Sequence, residues 1–369
     1  MSAPAEGERL EPRRSLEQLI KRNNLGRERT EELFGRLMDG ELNEVEKAAL
    51  LVALACKGET PEEIAGAATA MRRRAVRIPH GLEGVIDTCG TGGDGSGSFN
   101  VSTAAALVAA AAGARVAKHG NRSISSRSGS ADVLAELGVT IELPPEELGA
   151  ALHDVGISFL FAPRMHPAMR EVMPVRQQLG VRTLFNVLGP LTNPAGARRQ
   201  LIGVYSHRLV APIGQVLLEL GSEHALVVHG SDGLDELTTT GVSFVAEVKD
   251  GDVELYDLRP EAFGIERAAP AALQGGSPAE NAERMRRLLA GEAGPLADIT
   301  ALNAGAALYV GAVCDSLEQG IELARQQLRS GAAARKLEEL VAFGQAARRR
   351  AEATGGVDDS AGAKGEAPR

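Results

Sequence analysis

The chain has 369 residues, 44% hydrophobic and 24% charged, which is typical of a globular protein with two or three domains. Its formal net charge of −9 argues against a nucleic-acid partner, which usually requires a basic surface. No apolar run reaches the ~18 residues of a membrane span, and the charged N-terminal stretch does not resemble a secretory signal, so no membrane partner is expected. The cysteines, Cys56, Cys89 and Cys314, are far apart, which favours a cytoplasmic location.

The first predicted unit, residues 15–80, is all helical. Apolar residues recur at helical spacing, Ser15 is predicted to cap the first helix, and Thr60 to cap a later one. Residues 1–14 and 351–369 are polar and poor in large apolar side chains, so both are predicted to be disordered tails.

After residue 80, short apolar strands alternate with helices, which is typical of βαβ units and a mostly parallel sheet. The predicted strands are "GVIDT", "ARVAKHG", "VTIEL", "ISFLFA", "LIGVYS" and "HALVVHG", and "SFVAEVKDGDVELYDL" predicts a β-hairpin around an Asp-Gly turn. The expected fold class is α/β: a small all-helical domain plus a larger α/β domain with a mostly parallel central sheet, helices around it and a β-hairpin insertion. The larger domain comprises 81–164 and 191–350, while the helical stretch 165–190 packs onto the small domain.

Between the first predicted strand and an alanine-rich helix lies "DTCGTGGDGSGSFNVST", residues 87–103. A dinucleotide fingerprint is disfavoured because the helix begins late and the next strand ends in Lys118 rather than an acidic residue. A P-loop is excluded because no Gly-Lys-Ser/Thr follows, and a purely structural loop with so many glycines would be costly to order. A phosphate-binding loop is favoured, with backbone N–H groups and the N-terminus of the helix, capped by "NVST", as anion donors.

Two further loops follow predicted strands and are expected at the same edge of the sheet. "KHGNRSISSRSGSAD" brings the positive charges of Lys118 and Arg122 and several hydroxyls, which indicates a ligand with more than one phosphate. "HGSDGLDELTTTG" places Asp232, Asp235 and Glu236 together, and adjacent carboxylates with substrate phosphates are a typical magnesium site.

Six motifs occur in an order that resembles the anthranilate phosphoribosyltransferases, and the resemblance covers roughly residues 15–345. The motifs are "GTGGD" (90–94), "NVST" (100–103), "KHGNR" (118–122), "SSRSGSADVLAELG" (125–138), "RTLFNVLGPLTNP" (182–194) and "GLDE" (233–236). One mild departure is Ser98, where other members often have Thr. The resemblance implies transfer of the phosphoribosyl group of 5-phosphoribosyl-1-diphosphate (PRPP) to the amine of anthranilate, the second step of tryptophan synthesis from chorismate. The products would be N-(5-phosphoribosyl)anthranilate and diphosphate.

The resemblance also implies site residues, a Mg²⁺ cofactor with two ions per monomer, and a homodimer formed through the helical domains. No acid–base catalyst is implied, since positioning and charge stabilisation would carry the reaction. Anthranilate would contact Gly90, Asn121 and Arg176, with His119 nearby. Magnesium would be held by Ser102, Asp235 and Glu236. PRPP would be bound by Gly90, Gly93, Asp94, Ser98, Asn100, Val101, Ser102, Thr103, Lys118, His119, Gly120, Asn121, Arg122, Ser123, Ile124, Ser125, Ser126 and Ser130.

Two alternatives stay open at this point. A pyrimidine nucleoside phosphorylase of the same broad fold would use phosphate and need no metal, which fits the acidic pair poorly. A non-enzymatic relative that binds nucleic acid would need a basic surface, which the net charge disfavours.

Overall fold

The computed structural model describes residues 6–123 and 128–355. Its strands are β1 (Ile86–Asp87), β2 (Val116–Gly120), β3 (Ile157–Phe161), β4 (Arg199–Gly203), β5 (His224–Gly230), β6 (Ser243–Lys249) and β7 (Asp252–Leu258). Its helices are α1 (Glu6–Ile20), α2 (Arg27–Met38), α3 (Glu44–Lys57), α4 (Pro61–Arg74), α5 (Val101–Ala111), α6 (Ser130–Glu136), α7 (Pro145–Asp154), α8 (Ala162–Met165), α9 (Met173–Leu179), α10 (Phe185–Leu191), α11 (Val210–Glu219), α12 (Pro278–Leu289), α13 (Pro295–Val310), α14 (Leu317–Arg329) and α15 (Ala332–Gly355).

The strands form one sheet in the order β3-β2-β1-β4-β5-β6-β7. The pairs from β3 to β5 are parallel, and β6 and β7 pair antiparallel at one edge. The predicted hairpin is confirmed: Asp250 and Gly251 connect β6 and β7 with φ angles of 51° and 82°, as a tight two-residue turn requires. The predicted mostly parallel sheet in an α/β fold is therefore confirmed.

Buried apolar side chains cover both faces of the sheet. On one face, α5, α12 and α13 pack with β1 to β3 through side chains such as Leu107, Val116 and Leu308. On the other face, α11 packs on β5 to β7, and the same apolar cluster continues into the N-terminal helices. The helical bundle thus shares a core with one face of the sheet, which brings its side chains near the strand ends.

The stretch 165–190 lies against the N-terminal helices. Val175 of α9 and Phe185 of α10 belong to the same apolar cluster as α2 to α4, and the rings of Phe34 and Phe185 have their centroids 5.4 Å apart. Lys47 donates a hydrogen bond of 2.7 Å to the carbonyl of Glu171. The chain thus leaves the sheet after β3, contributes to the bundle and returns in β4. The exact domain boundaries stay predictions.

The structure corrects the predicted N-terminal tail. Residues 6–14 are helical, because α1 begins at Glu6 and runs through Ser15. Ser15 is not an N-cap: it is buried, and its hydroxyl accepts a hydrogen bond of 3.0 Å from Arg29. Polar side chains such as Glu and Arg are good helix formers, so a lack of large apolar residues did not exclude a helix.

At the other end, α15 extends to Gly355, past the predicted boundary at 350. The segment "VTIEL", residues 139–143, is not a strand but an irregular connection between α6 and α7. The sheet position beside β2 is occupied by β3, and this segment instead packs Val139, Ile141 and Leu143 against the apolar core. Among the described residues, no helix combines the length and apolar character needed to cross a bilayer.

Candidate active site

The glycine-rich loop joins the end of β1 to α5. Gly92, Gly93, Gly95 and Gly97 all have positive φ, between 63° and 74°, a region that residues with side chains rarely adopt. The loop is seated by two hydrogen bonds: Thr91 N–H donates to the Gly203 carbonyl at 2.8 Å, and Gly92 N–H donates to Asp235 Oδ2 at 2.7 Å. The glycine content is therefore explained by the backbone path of the loop.

The predicted acidic pair lies directly against this loop. Asp235 accepts the hydrogen bond from Gly92, and Glu236 Oε1 accepts one of 3.0 Å from the N–H of Ser102 in the first turn of α5. A side chain at Gly90 would collide with Asp235, since a Cβ there would lie 2.8 Å from Oδ2. The two carboxylates thus occupy backbone donors that the sequence assigned to a phosphate.

The pKa values of this acidic pair are raised. Burial raises the pKa of Asp235 to about 6, and the negative charge of Asp94 adds to the rise. Burial raises the pKa of Glu236 to about 8, with Asp235 as the next cause. Two buried carboxylates are costly to ionise together unless a cation balances their charge. Because they also offer hard oxygen ligands, the pair suits a divalent cation such as Mg²⁺.

Lys118 is a cation whose charge acts on Glu236. It is buried at the end of β2, and its ammonium donates to the Thr88 carbonyl at 3.2 Å and to Ser102 Oγ at 3.4 Å. Its positive charge opposes the rise in the pKa of Glu236. Lys118 thus links β2, the loop after β1 and the start of α5, as the sequence predicted for neighbouring strand ends.

The start of α5 differs from the prediction that "NVST" caps the helix. Asn100 is the N-cap residue but makes no side-chain cap; its amide donates to the Ser128 carbonyl at 3.2 Å and its Oδ1 accepts from Asn281 at 2.9 Å. The side chain of Val101 is in the apolar core, and its N–H donates to the Phe99 carbonyl. Asn100 therefore contacts Ser128, in the loop after β2, instead of capping α5.

Two other predicted PRPP ligands flank this turn. The hydroxyl of Thr103 is buried and has no hydrogen-bond partner among the described residues. Ser98 forms an isolated bridge with Gln274, and its N–H donates to Ser96 Oγ at 3.2 Å. Ser96 in turn donates to Asp94 at 2.6 Å, so the middle of the loop is held by its own side chains.

The second loop follows Gly120 at the end of β2. The Asn121 carbonyl accepts hydrogen bonds from Ala131 N–H at 3.1 Å and from Ser130 Oγ at 3.2 Å. Asp132 accepts from Ser123 N–H at 3.0 Å and pairs with Arg122 at 3.1 Å. The charge of Arg122 is thus partly balanced within the loop. The predicted ligands Ile124, Ser125 and Ser126 lie outside the described residues.

Arg176 on α9 is a half-buried cation. Its guanidinium lies 5.5 Å from the ring centroid of Phe185, and one nitrogen is 3.9 Å from the sulfur of Met173. Burial lowers its pKa, and no carboxylate of the described residues pairs with it. A planar guanidinium without an internal partner suits the carboxylate of a ligand.

His119 forms a buried pair with His166, a residue that the sequence analysis did not single out. The Gly189 carbonyl is 3.0 Å from His119 Nδ1, and the two Nε2 atoms are 3.2 Å apart. Because a carbonyl only accepts, His119 Nδ1 carries a hydrogen, and His166 donates to His119 Nε2. Burial lowers the pKa of His119 to about 4 and that of His166 to about 3. Both rings are therefore neutral at pH 7.

Two more residues near the site were missed, although both lie in the quoted motif 182–194. Asn193 donates to buried Asp87 at 2.7 Å, and His119 N–H donates to the same carboxylate at 3.1 Å. Burial raises the pKa of Asp87 to about 6. Arg182 donates a hydrogen bond to the Gly93 carbonyl in the glycine-rich loop. Their motif was the available signal, but the spacing alone assigned them no partner.

A glycine loop and an acidic pair at the carboxyl edge of a parallel sheet, with a helical bundle alongside, are features that define a class of transferase. Residues 82–334 match the glycosyl transferase family a/b domain, and residues 13–75 match the glycosyl transferase family helical bundle domain. The chain belongs to the anthranilate phosphoribosyltransferase family, as the relatives below show and as the motifs predicted.

Curated relatives cover nearly the whole chain. The anthranilate phosphoribosyltransferase of Thioalkalivibrio sulfidiphilus is 49% identical over 90% of this chain and 99% of its own, and that of Phenylobacterium zucineum is 55% identical over 84% and 91%. The crystal structure of the Thermus thermophilus enzyme superposes with a TM-score of 0.85 at 51% identity, covering 90% of this chain and 99% of that one. The Saccharomyces cerevisiae enzyme in complex with PRPP and Mg has a TM-score of 0.84 at 28% identity, covering 93% and 99%.

Proposed function

We propose that this protein transfers the 5-phosphoribosyl group of PRPP to the amine of anthranilate, as in the second step of tryptophan synthesis from chorismate. The observation that carries the proposal is the position of the glycine-rich loop between the acidic pair Asp235 and Glu236 and the cation Lys118. This arrangement supplies backbone donors for a diphosphate and ligands for a metal. Arg176, which pairs with no carboxylate of the described residues, supplies a carboxylate receptor from the helical side.

In this proposal, PRPP lies across the carboxyl ends of β1 and β2. Its diphosphate accepts hydrogen bonds from the backbone N–H groups of the glycine-rich loop, and the first turn of α5 and Lys118 supply positive potential. The second loop, including Asn121 and Arg122, covers the remaining phosphate. In this structure Asp235 and Glu236 accept hydrogen bonds from the N–H groups of Gly92 and Ser102. These two N–H groups become available to a phosphate only when the carboxylates bind a cation instead.

The residues fit a magnesium cofactor. Asp235 and Glu236, with the hydroxyl of Ser102, provide hard oxygen ligands, and we propose two Mg²⁺ ions per monomer when PRPP is bound. Bound there, Mg²⁺ neutralises charge on the diphosphate and so improves it as a leaving group.

The chemistry needs positioning more than proton abstraction. The lone pair of the anthranilate amine forms the bond to C1 of the ribose, the C1–O bond breaks, and its electron pair leaves with the diphosphate. The amine then loses one proton to solvent, because the neighbouring histidines have lowered pKa values and are poor bases. Arg176 holds the carboxylate in two-pronged geometry and thereby directs the amine towards C1.

We further propose a homodimer formed through the helical bundle. Ile20 of α1 and Val45 and Val52 of α3 are exposed large apolar side chains on two helices that pack together. Large apolar side chains exposed on neighbouring helices favour a protein–protein interface. The protein is also proposed to be cytoplasmic, because its cysteines are free thiols, the state that a reducing compartment maintains.

The test is a steady-state assay that follows the loss of anthranilate fluorescence with PRPP and Mg²⁺, together with chromatographic detection of diphosphate and the phosphoribosyl product. We expect turnover that requires all three components and stops with a chelator. Thymidine or uridine with phosphate serves as the control substrate pair. Cleavage of these nucleosides without anthranilate consumption would contradict the proposal and support the phosphorylase alternative.

A further inference from the structure

Arg182 connects the helical stretch to the glycine-rich loop. Its guanidinium donates a hydrogen bond to the Gly93 carbonyl and lies 4.1 Å from the ring centroid of Tyr205, just after β4. Tyr205 is itself bonded to the loop, because its N–H donates to Thr91 Oγ1 at 3.0 Å. One exposed arginine therefore contacts two groups that determine where the loop lies.

The hydrogen bond fixes the orientation of one peptide. In a trans peptide the N–H points away from the C=O, so a guanidinium on the Gly93 carbonyl turns the Asp94 N–H to the opposite side. No described residue accepts a hydrogen bond from that N–H. Gly93 has a φ of 73° and no side chain, so without an external contact this peptide would rotate easily.

We propose that Arg182 is a positioning residue for PRPP: it holds the Gly93–Asp94 peptide so that the Asp94 N–H is presented to the diphosphate. The ring of Tyr205 supports the guanidinium from its other side by a cation–π contact. This inference rests on the proposed function and adds a residue to it. Arg182 touches neither the amine nor the carboxylate of anthranilate in this account, so its effect is confined to PRPP.

The experiment measures both Michaelis constants for Arg182→Met, Arg182→Lys, Tyr205→Leu and Tyr205→Phe, with Arg170→Met as a control on an exposed arginine of the same stretch. Arg182→Met is expected to raise the KM for PRPP about tenfold or more, the scale of a hydrogen bond to a charged group. The KM for anthranilate, the kcat and the melting temperature should change little. Lys should rescue in part, because an ammonium reaches a carbonyl but does not stack on a ring.

The two substitutions at Tyr205 test the inference independently of the Arg182 variants. Tyr205→Phe retains the ring face and should behave like the wild type, whereas Tyr205→Leu should raise the KM for PRPP. An unchanged KM for PRPP in Arg182→Met, or equal effects of Phe and Leu at 205, would overturn the inference. A wild-type protein that does not consume anthranilate would instead contradict the proposed function, so the two failures are distinct.

Discussion

At the scale of single residues, the site is defined by charges without partners of opposite sign. Arg176 has a half-buried guanidinium and pairs with no carboxylate of the described residues. Asp235 and Glu236 have raised pKa values and form no ion pair with a described residue. Burying such groups is costly unless a ligand completes them. The account therefore assigns the carboxylate of anthranilate to Arg176 and a divalent cation to the acidic pair.

Arg176→Ala is expected to raise the KM for anthranilate by about 10- to 100-fold, because a hydrogen bond to a charged group contributes about 1.5–3 kcal/mol. The KM for PRPP should move little. Arg176→Lys should rescue only in part, since an ammonium lacks the planar two-pronged geometry. Steady-state kinetics that vary each substrate separately measure this. Equal rises in both constants, or full rescue by Lys, would show that Arg176 contributes general charge.

The pair His119 and His166 predicts how stability depends on pH. In the unfolded chain both histidines titrate near 6.5, whereas burial lowers their pKa values to about 4 and about 3 in the fold. Below pH 6.5 the unfolded state therefore binds more protons. The free energy of unfolding should fall as pH drops from 6.5 towards 4, by up to about 1.4 kcal/mol per pH unit for each histidine.

Urea unfolding at about pH 7.5 and about pH 5.5 measures this loss. The double variant His119→Gln/His166→Gln should lose clearly less stability over this interval than the wild type, since the remaining groups are common to both. His207→Gln, which replaces an exposed histidine, is the control and should keep the wild-type loss. The same loss in all three proteins would show that the buried pair does not titrate in this way.

At the scale of elements, the glycine-rich loop shows how much the sequence could predict. Its place between a strand and a helix, and its proximity to the acidic pair, followed from local patterns, as did the hairpin at Asp250 and Gly251. The contacts of Arg182 with Gly93 and of His166 with His119 did not, because Arg182 and His166 lie in the helical stretch 165–190 and not at a strand end. Such contacts depend on how elements pack, which periodicity and capping signals do not specify.

Two of the errors of prediction, at "VTIEL" and at Asn100, have the same origin. "VTIEL" has the composition of a strand, yet β3 occupies the sheet position next to β2. Residues 6–14 contain one large apolar residue, Leu10, yet they form the start of α1, because Glu and Arg are good helix formers. Asn100 has the residue type of a cap, yet its amide is bonded to Ser128 and Asn281. For "VTIEL" and for Asn100, a tertiary contact outweighed a local preference.

Gly92→Ala tests whether the loop approaches a ligand closely. Gly92 has a φ of 63° and open space at its Cβ position, so the free protein accepts a methyl group at the cost of local strain alone. If the diphosphate lies against this backbone, the KM for PRPP should rise about tenfold, or 1.4 kcal/mol. Gly196→Ala is a matched control, because Gly196 has a φ of 67° and equally open space away from the loop. An equal KM for PRPP in the two variants would indicate that the loop has only a structural role.

At the scale of the whole molecule, the account places the two substrates on different parts of the chain. The PRPP loops follow β1 and β2, whereas Arg176 lies on the helical stretch that packs with the bundle. The active site is therefore expected between the two parts, and the bundle is expected to carry the dimer contact on its other side.

Val45→Glu with Val52→Glu should convert the proposed dimer to a monomer in light scattering, because two charges would be buried in an apolar interface. Val45 is 79% exposed and Val52 is 38% exposed, so the change should not disturb the fold of the monomer. Leu255→Glu is the control, since Leu255 is 59% exposed on β7 and away from the bundle. A wild-type mass of one chain, or an unchanged mass in the double variant, would contradict this interface.

The most direct test of the central claim is calorimetric titration of PRPP in the presence of Mg²⁺ into the wild type and into Asp235→Asn/Glu236→Gln. The amides keep the size of the side chains and remove the charges that hold a cation. The account predicts that the wild type binds PRPP only with Mg²⁺, that the double variant binds at least about 10²-fold more weakly, and that its melting temperature is not lowered. Equal affinity in the two proteins, or tight binding by the wild type with a chelator, would show that the acidic pair beside the glycine-rich loop is not the PRPP site.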